Sequence, residues 1–210
     1  APDLTILAED ITGGGITDMA YQQEPDSVIW TVREDGVLLG LTYQRDQQVV
    51  AWHQHPVGGT NAEVESVAVI PSADGKSDEL WAVVKRTINS STARYIEYLD
   101  NSIFIDSGLS YSGSATNSFS GLNHLEGETV TVLNNGAVES TKTVSSGSIT
   151  LTNATTKCHV GLAYNAELDS VNVEPKSQYG TTQGKRGRID KCIFRVFETV
   201  GLKAGPSSTS

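Results

Sequence analysis

The stretch Val28-Ile29-Trp30-Thr31-Val32-Arg33-Glu34-Asp35-Gly36-Val37-Leu38-Leu39-Gly40-Leu41-Thr42-Tyr43 decides the fold class. Two runs of β-branched, aromatic and aliphatic residues flank an Asp-Gly pair. That pair marks a tight hairpin, because glycine reaches positive φ without steric cost. Outward from it, a third run from Val49 to Gln54 ends near Gly58-Gly59. A fourth, Val64 to Ile70, alternates Val67 and Val69 against Ser66 and Ala68, the period of a half-buried strand. Helical periodicity is almost absent, so the expected class is all-β.

The chain then begins again. Glu79-Leu80-Trp81-Ala82-Val83-Val84-Lys85-Arg86 echoes Val28 to Arg33, with Trp30 and Trp81 separated by 51 positions. Each run is followed by a turn and a second strand ending in tyrosine, at Tyr43 and at Tyr98. A period of about 50 residues built from four strands is the size of a β-propeller blade. Residues 1–102 are therefore expected to form a propeller-blade segment, an antiparallel meander in which residues 16–100 supply one full blade and about half of the next. Such a sheet needs neighbours to cover both faces, so further blades are expected in a longer parent chain.

Residues 103–203 have a different texture. Glu128 to Leu133 runs into Asn134-Asn135-Gly136, a second hairpin signal. Short β runs follow at Ser148–Leu151, Lys157–Leu162, Ser170–Val173 and Asp190–Phe197. Many short strands joined by turns predict a small inserted β-barrel or sandwich. Residues 204–210, ending Gly205-Pro206-Ser207-Ser208-Thr209-Ser210, are expected to be a disordered tail.

Composition narrows the function. The 210 residues carry 25 acidic and 15 basic side chains, a net charge of −10. An acidic surface repels phosphates, which argues against a tight grip on nucleic acid and allows a smooth wall past which DNA slides. No apolar stretch approaches the ~18 residues of a spanning helix, so no membrane insertion is expected. The first residues, Ala1-Pro2, show neither an initiating Met nor an export leader, and the expectation is a piece of a longer polypeptide. Cys158 and Cys192 lack the spacing of zinc or redox sites. Both lie in strand-like runs, and buried thiols are favoured over a disulfide.

Candidate chemistry is thin. His53 and His55 form a His-x-His pair that a strand would project from one face, as metal ligands can be, but no third or fourth ligand lies nearby in sequence. His124 and His159 stand alone. Gly13-Gly14-Gly15 lacks the following Gly-Lys-Ser/Thr of a phosphate cradle and reads as a turn. Ser66 and Ser110 lack a Gly-x-Ser-x-Gly elbow. Glu9-Asp10, Glu34-Asp35 and Asp78-Glu79 could in principle supply paired carboxylates for glycoside hydrolysis, yet each adjoins a turn or strand start, where solvated acids are ordinary. The basic cluster Gly184-Lys185-Arg186-Gly187-Arg188 reads as a loop that could touch phosphate or an acidic partner. No catalytic residue, metal site or cofactor is therefore expected, and binding residues are not assigned.

Several strings carry a family resemblance. Ile16 to Pro25 running into Ile29–Gly36, with Leu38–Tyr43, Ala51-Trp52-His53 and Glu65–Pro71, resembles the tail tubular, or nozzle, proteins of short-tailed phages and prophages. Gly121–Gly127, Val130, Asn135-Gly136, Gly161-Leu162 and Gln183-Gly184-Lys185 are similar to an inserted module of those proteins. That module in turn resembles, in fold alone, the first catalytic-cysteine half-domain of ubiquitin-activating enzymes. The likeness covers about residues 11–203. It implies a non-enzymatic virion protein that assembles with copies of itself in a ring and with other tail proteins. DNA would meet it only in passage. The rival reading is a receptor- or glycan-binding module, suggested by the Ser-, Thr- and Asn-rich second half and directed at host surface sugar.

Overall fold

The computed structural model describes residues 3–6, 8–170, 189, 191–197, 199 and 201–205. At Asp35-Gly36 the hairpin forms as the sequence predicts: Gly36 adopts φ +82°, and the Arg33 N–H donates to Val37 O at 3.0 Å. This turn joins β2 (Val28–Arg33) to β3 (Leu38–Gln44). With β1 (Ile16–Gln22) and β4 (Val49–His55) they form a four-stranded antiparallel sheet in the order β1-β2-β3-β4. A one-turn helix α1 (Glu9–Thr12) precedes it, and Gly14 and Gly15, at φ +105° and +90°, turn the chain into β1.

The fourth apolar run does not join this sheet. It becomes β5 (Thr60–Pro71), the first strand of a second meander, β5-β6-β7, with β6 (Asp78–Ile88) and β7 (Ser91–Tyr98). The two sheets share one core: Val28, Trp30, Val32 and Leu38 from the first meet Val64, Leu80 and Val84 from the second. Burying each aliphatic side chain of this set contributes roughly 1.5–3 kcal/mol. Asp18 on β1 helps to fix the approach, its carboxylate accepting the Val67 N–H at 3.0 Å beside a bulge in β5.

The third sheet departs most from expectation. Its order is β10-β9-β12-β8, with β11 also paired to β9, from β8 (Asp106–Ser120), β9 (Thr129–Asn134), β10 (Ala137–Val138), β11 (Lys142–Thr143) and β12 (Ser148–Leu162). The sheet stays open, and no closed barrel forms among the described residues. The two runs Ser148–Leu151 and Lys157–Leu162 are one continuous strand, paired along β8 with register shifts. Asn135 and Gly136, at φ +46° and +83°, make the predicted β9–β10 hairpin. The core of this sheet, including Phe119, Leu122, Val130, Val132 and Val160, also takes in Ile88 of β6, with Ala93 and Tyr95 of β7 packed against it. One face of the second sheet thus packs on the first sheet at one end and on the third sheet at the other.

Residues Ala1–Asn165 form one compact unit and Ala166–Ser210 another. In the second unit, residues 191–197 form no strand, contrary to the expectation for Asp190–Phe197. Ile193, Val196 and Phe197 are exposed there, and a strand needs a ladder partner for its backbone groups. Val171–Val173 of the expected 170–173 strand, Gln183, Gly184–Arg188 and residues 206–210 of the tail lie outside the described residues. No helix among the described residues is long and apolar enough to cross a membrane.

Candidate functional site

The His-x-His pair lies where strand alternation places it, with both rings on the face of β4 that also carries Trp30 of β2. Between them runs Gly40 of β3, cross-strand neighbour of both Trp30 and His53. His53 Nδ1 and His55 Nε2 are 2.6 Å apart, and His53 Nε2 meets Thr42 Oγ1 at 3.1 Å. The His55 ring stacks edge-on against Trp30 at 4.9 Å between centroids. Burial lowers the pKa of both imidazoles, and that of His55, with His53 beside it, falls to about 4. Near neutral pH the pair is therefore uncharged, one ring donating to the other. No group of three or more His, Cys, Asp or Glu side chains that could hold a metal ion occurs among the described residues. The pair caps the Trp30 end of the shared core.

Trp30 is tied down on its other side. Its Nε1–H donates to Gln22 Oε1 at 2.8 Å, and Gln22 Nε2 donates to Asp78 O at 2.9 Å. The Asp78 carboxylate accepts the backbone N–H groups of Gln23 and Glu24, at 2.9 and 3.1 Å. Asp78 is thus engaged with the β1–β2 turn, whereas Glu79 accepts the Trp81 indole N–H at 3.1 Å. The two neighbours serve different partners and do not converge on a common point.

A second cluster escaped the sequence reading. Arg86 of β6 is 1% exposed. Its Nε–H donates to Gly58 O at 2.7 Å and its guanidinium grips both carboxylate oxygens of Glu97 on β7. The Gly58 N–H donates to Asp106 at the start of β8. Burial raises the pKa of Asp106 and the Glu97 charge adds to this, while the Gly58 N–H and Arg86 pull it down. The Gly58-Gly59 strap passes between these groups because it lacks side chains. A Cβ on Gly58 would stand 2.6 Å from Ala163 O, and one on Gly59 2.9 Å from Arg86 Cδ. The second and third sheets meet here, across the strap that links β4 to β5. The clue in sequence was faint: Arg86 falls in phase with Leu80 and Val84 on the buried face of β6.

The remaining candidates are dispersed. His124 Nε2 bonds Ser107 O at 3.0 Å, and its own carbonyl accepts from Tyr95 Oη at 3.1 Å. Ser110 sits opposite His159 across the β8–β12 pair, yet His159 Nδ1 is buried without a hydrogen-bond partner. Ser66 on β5 is half-buried opposite Val83. Glu9 and Asp10 are exposed on α1, as is Glu34, while Asp35 forms a paired bridge with Arg33 at 2.8 Å. Cys158 and Cys192 are both free thiols; Cys158 is buried as expected, whereas Cys192 is exposed.

What remains is surface. Beyond the shared core, β6 and β7 turn Trp81, Val83, Ile96 and Tyr98 outward, with Ile70 of β5 beside them. Ile96 is 72% exposed and Tyr98 52%, and the Trp81 and Tyr98 rings lie 5.2 Å apart. On the first sheet the opposite face exposes Met19 and Tyr21. Apolar surface of this kind suits protein contact better than small-molecule chemistry. Comparison with protein-family models and with curated proteins finds no match to this chain.

Proposed function

We propose that this chain is a structural segment of a phage or prophage tail tube or nozzle, acting in tail assembly and in the passage of DNA. The supporting observation is the stacking of two successive antiparallel meanders on one core that includes Trp30. That arrangement is the one expected of adjacent propeller blades. The work is mechanical rather than catalytic. Subunits close a ring by rotational symmetry, stacked sheets resist pressure, and a net charge of −10 keeps DNA phosphates from adhering to the wall. Its partners are copies of itself and other tail proteins, and its location is the virion tail, assembled in the host cytoplasm. Electron microscopy of virions lacking the protein tests the assignment: truncated tails or lost DNA support it, and normal tails that retain DNA refute it.

A second reading rests on the third sheet. There Ser110, Ser112, Ser118, Ser120, Thr150 and Thr152 are exposed along β8 and β12, a hydroxyl-rich surface suited to sugar. Saturable binding to a bacterial glycan array favours that reading over the tube.

A further inference from the structure

We propose that His53 and His55 form a two-imidazole chelate on the outermost strand of the first sheet, taking a late first-row divalent cation and copper(II) most tightly. The site does not depend on the tail assignment and needs no residue from another chain.

A chelate first requires two donors on one side of a stiff backbone. Residues two apart on a strand share a face, and β4 is held along its whole length by β3, from Gln44 opposite Val49 to Leu38 opposite His55. His53 Nδ1 and His55 Nε2 stand 2.6 Å apart. At the ~2.0–2.1 Å length of a metal–imidazole bond, two donors at a right angle lie about 2.9 Å apart. The rings therefore open only slightly, turning their lone pairs toward a common point beside the line that joins the two nitrogens.

The next requirement is that the correct nitrogens face the cation. Thr42 Oγ1 lies 3.1 Å from His53 Nε2. In the tautomer that donates Nε2–H to this hydroxyl, His53 offers the lone pair of Nδ1. Hydrogen-bonded outer partners orient ligating imidazoles in this way, which makes Thr42 a positioning residue. His55 moves its proton from Nε2 to Nδ1 and offers Nε2, so binding releases no net proton and each ring keeps one N–H.

Access and donor type agree. β4 ends the order of its sheet, so the pair lies at the rim of the core, and both histidines are half-buried rather than sealed. Imidazole suits copper, nickel and zinc, and copper(II) heads the order of affinities among them. With two protein donors, the other coordination positions take water. Trp30 is a built-in reporter, its ring 4.9 Å from that of His55, close enough for a bound copper(II) ion to quench the indole.

The test titrates the 210-residue chain with copper(II) in a weakly coordinating buffer, followed by tryptophan fluorescence and electron paramagnetic resonance. One equivalent is expected to bind, with hyperfine coupling to two imidazole nitrogens and a saturable loss of indole emission. His53→Gln and His55→Gln are each expected to weaken binding by more than the ~10–100-fold that an outer partner carries. Thr42→Val should weaken it by about tenfold, and Thr42→Ser, which keeps the hydroxyl, should restore it. Zinc(II) should bind more weakly than copper(II). His124 and His159 remain in every variant and measure background binding. Far-UV circular dichroism checks that each variant folds, and the nitrogen count on the wild type decides the matter for any that does not. A copper signal from one imidazole or none overturns the proposal, as does an affinity unchanged in folded His55→Gln.

Discussion

The ring of His53 occupies the space that a side chain on Gly40 would need: a Cβ there would stand 2.1 Å from His53 Cε1. The glycine sits mid-strand, where it ordinarily weakens a sheet, and here it lets an imidazole cross toward Trp30. Gly40→Ala is expected to destabilise the fold by about 1–3 kcal/mol through overpacking. Urea denaturation measures this. Combined with His53→Ala, the loss should be smaller than the sum of the two single effects, the mark of direct contact.

The His pair gives stability a dependence on acidity. The pKa of His55 in the folded state, about 4, lies below its ordinary 6.5, so the unfolded chain takes the proton first. Stability from this group is fully present above pH 6.5 and is lost as pH falls toward 4, by at most about 3 kcal/mol. Denaturation midpoints across that range should fall steeply in the wild type. In His55→Gln the decline should flatten, and an unchanged slope would assign it to other groups.

The Arg86–Glu97 pair is expected to show the asymmetry of a buried ion pair. Arg86→Met removes the partner of Glu97 and the donor to Gly58 O, with an expected cost of about 3–5 kcal/mol. Arg86→Met with Glu97→Leu should recover a large part of that, because Glu97 is then not left as an unpaired charge. Thermal melts of the two single variants and the double variant decide it.

The two thiols should be chemically distinguishable. Cys158 is 0% exposed and burial pushes its pKa up to about 11, which leaves little thiolate near neutrality. An aromatic disulfide reagent is expected to modify one thiol per native chain quickly and the second only on unfolding. Cys192→Ser should abolish the fast phase. Two fast thiols would place Cys158 at the surface.

Local chemistry made much of the architecture legible. The Asp35-Gly36 and Asn135-Gly136 turns are written in residues that tolerate positive φ, and the alternation of Val67 and Val69 with Ser66 and Ala68 reports one buried face. The strand β8 was not legible. Its sequence, Asp106-Ser-Gly-Leu-Ser-Tyr-Ser-Gly-Ser-Ala-Thr-Asn-Ser-Phe-Ser120, is poor in strand formers, and it is extended because β12 supplies a ladder along it. The opposite error occurred at 191–197, where Cys192, Phe194 and Val196 have strand-like spacing and no strand forms. Propensity proposes a strand, and pairing disposes. The His53–His55 geometry followed from period-2 alternation alone. The Arg86 cluster did not, since its members lie on β6, β7, β8 and a connecting strap that only tertiary packing unites.

The Gly58-Gly59 strap is clasped from two directions, by Arg86 through its carbonyl and by Asp106 through its amide. Neither hand can let go without slackening the other's hold on the same glycine. The second and third sheets should consequently melt as a single event, with no intermediate in which one has come loose while the other persists.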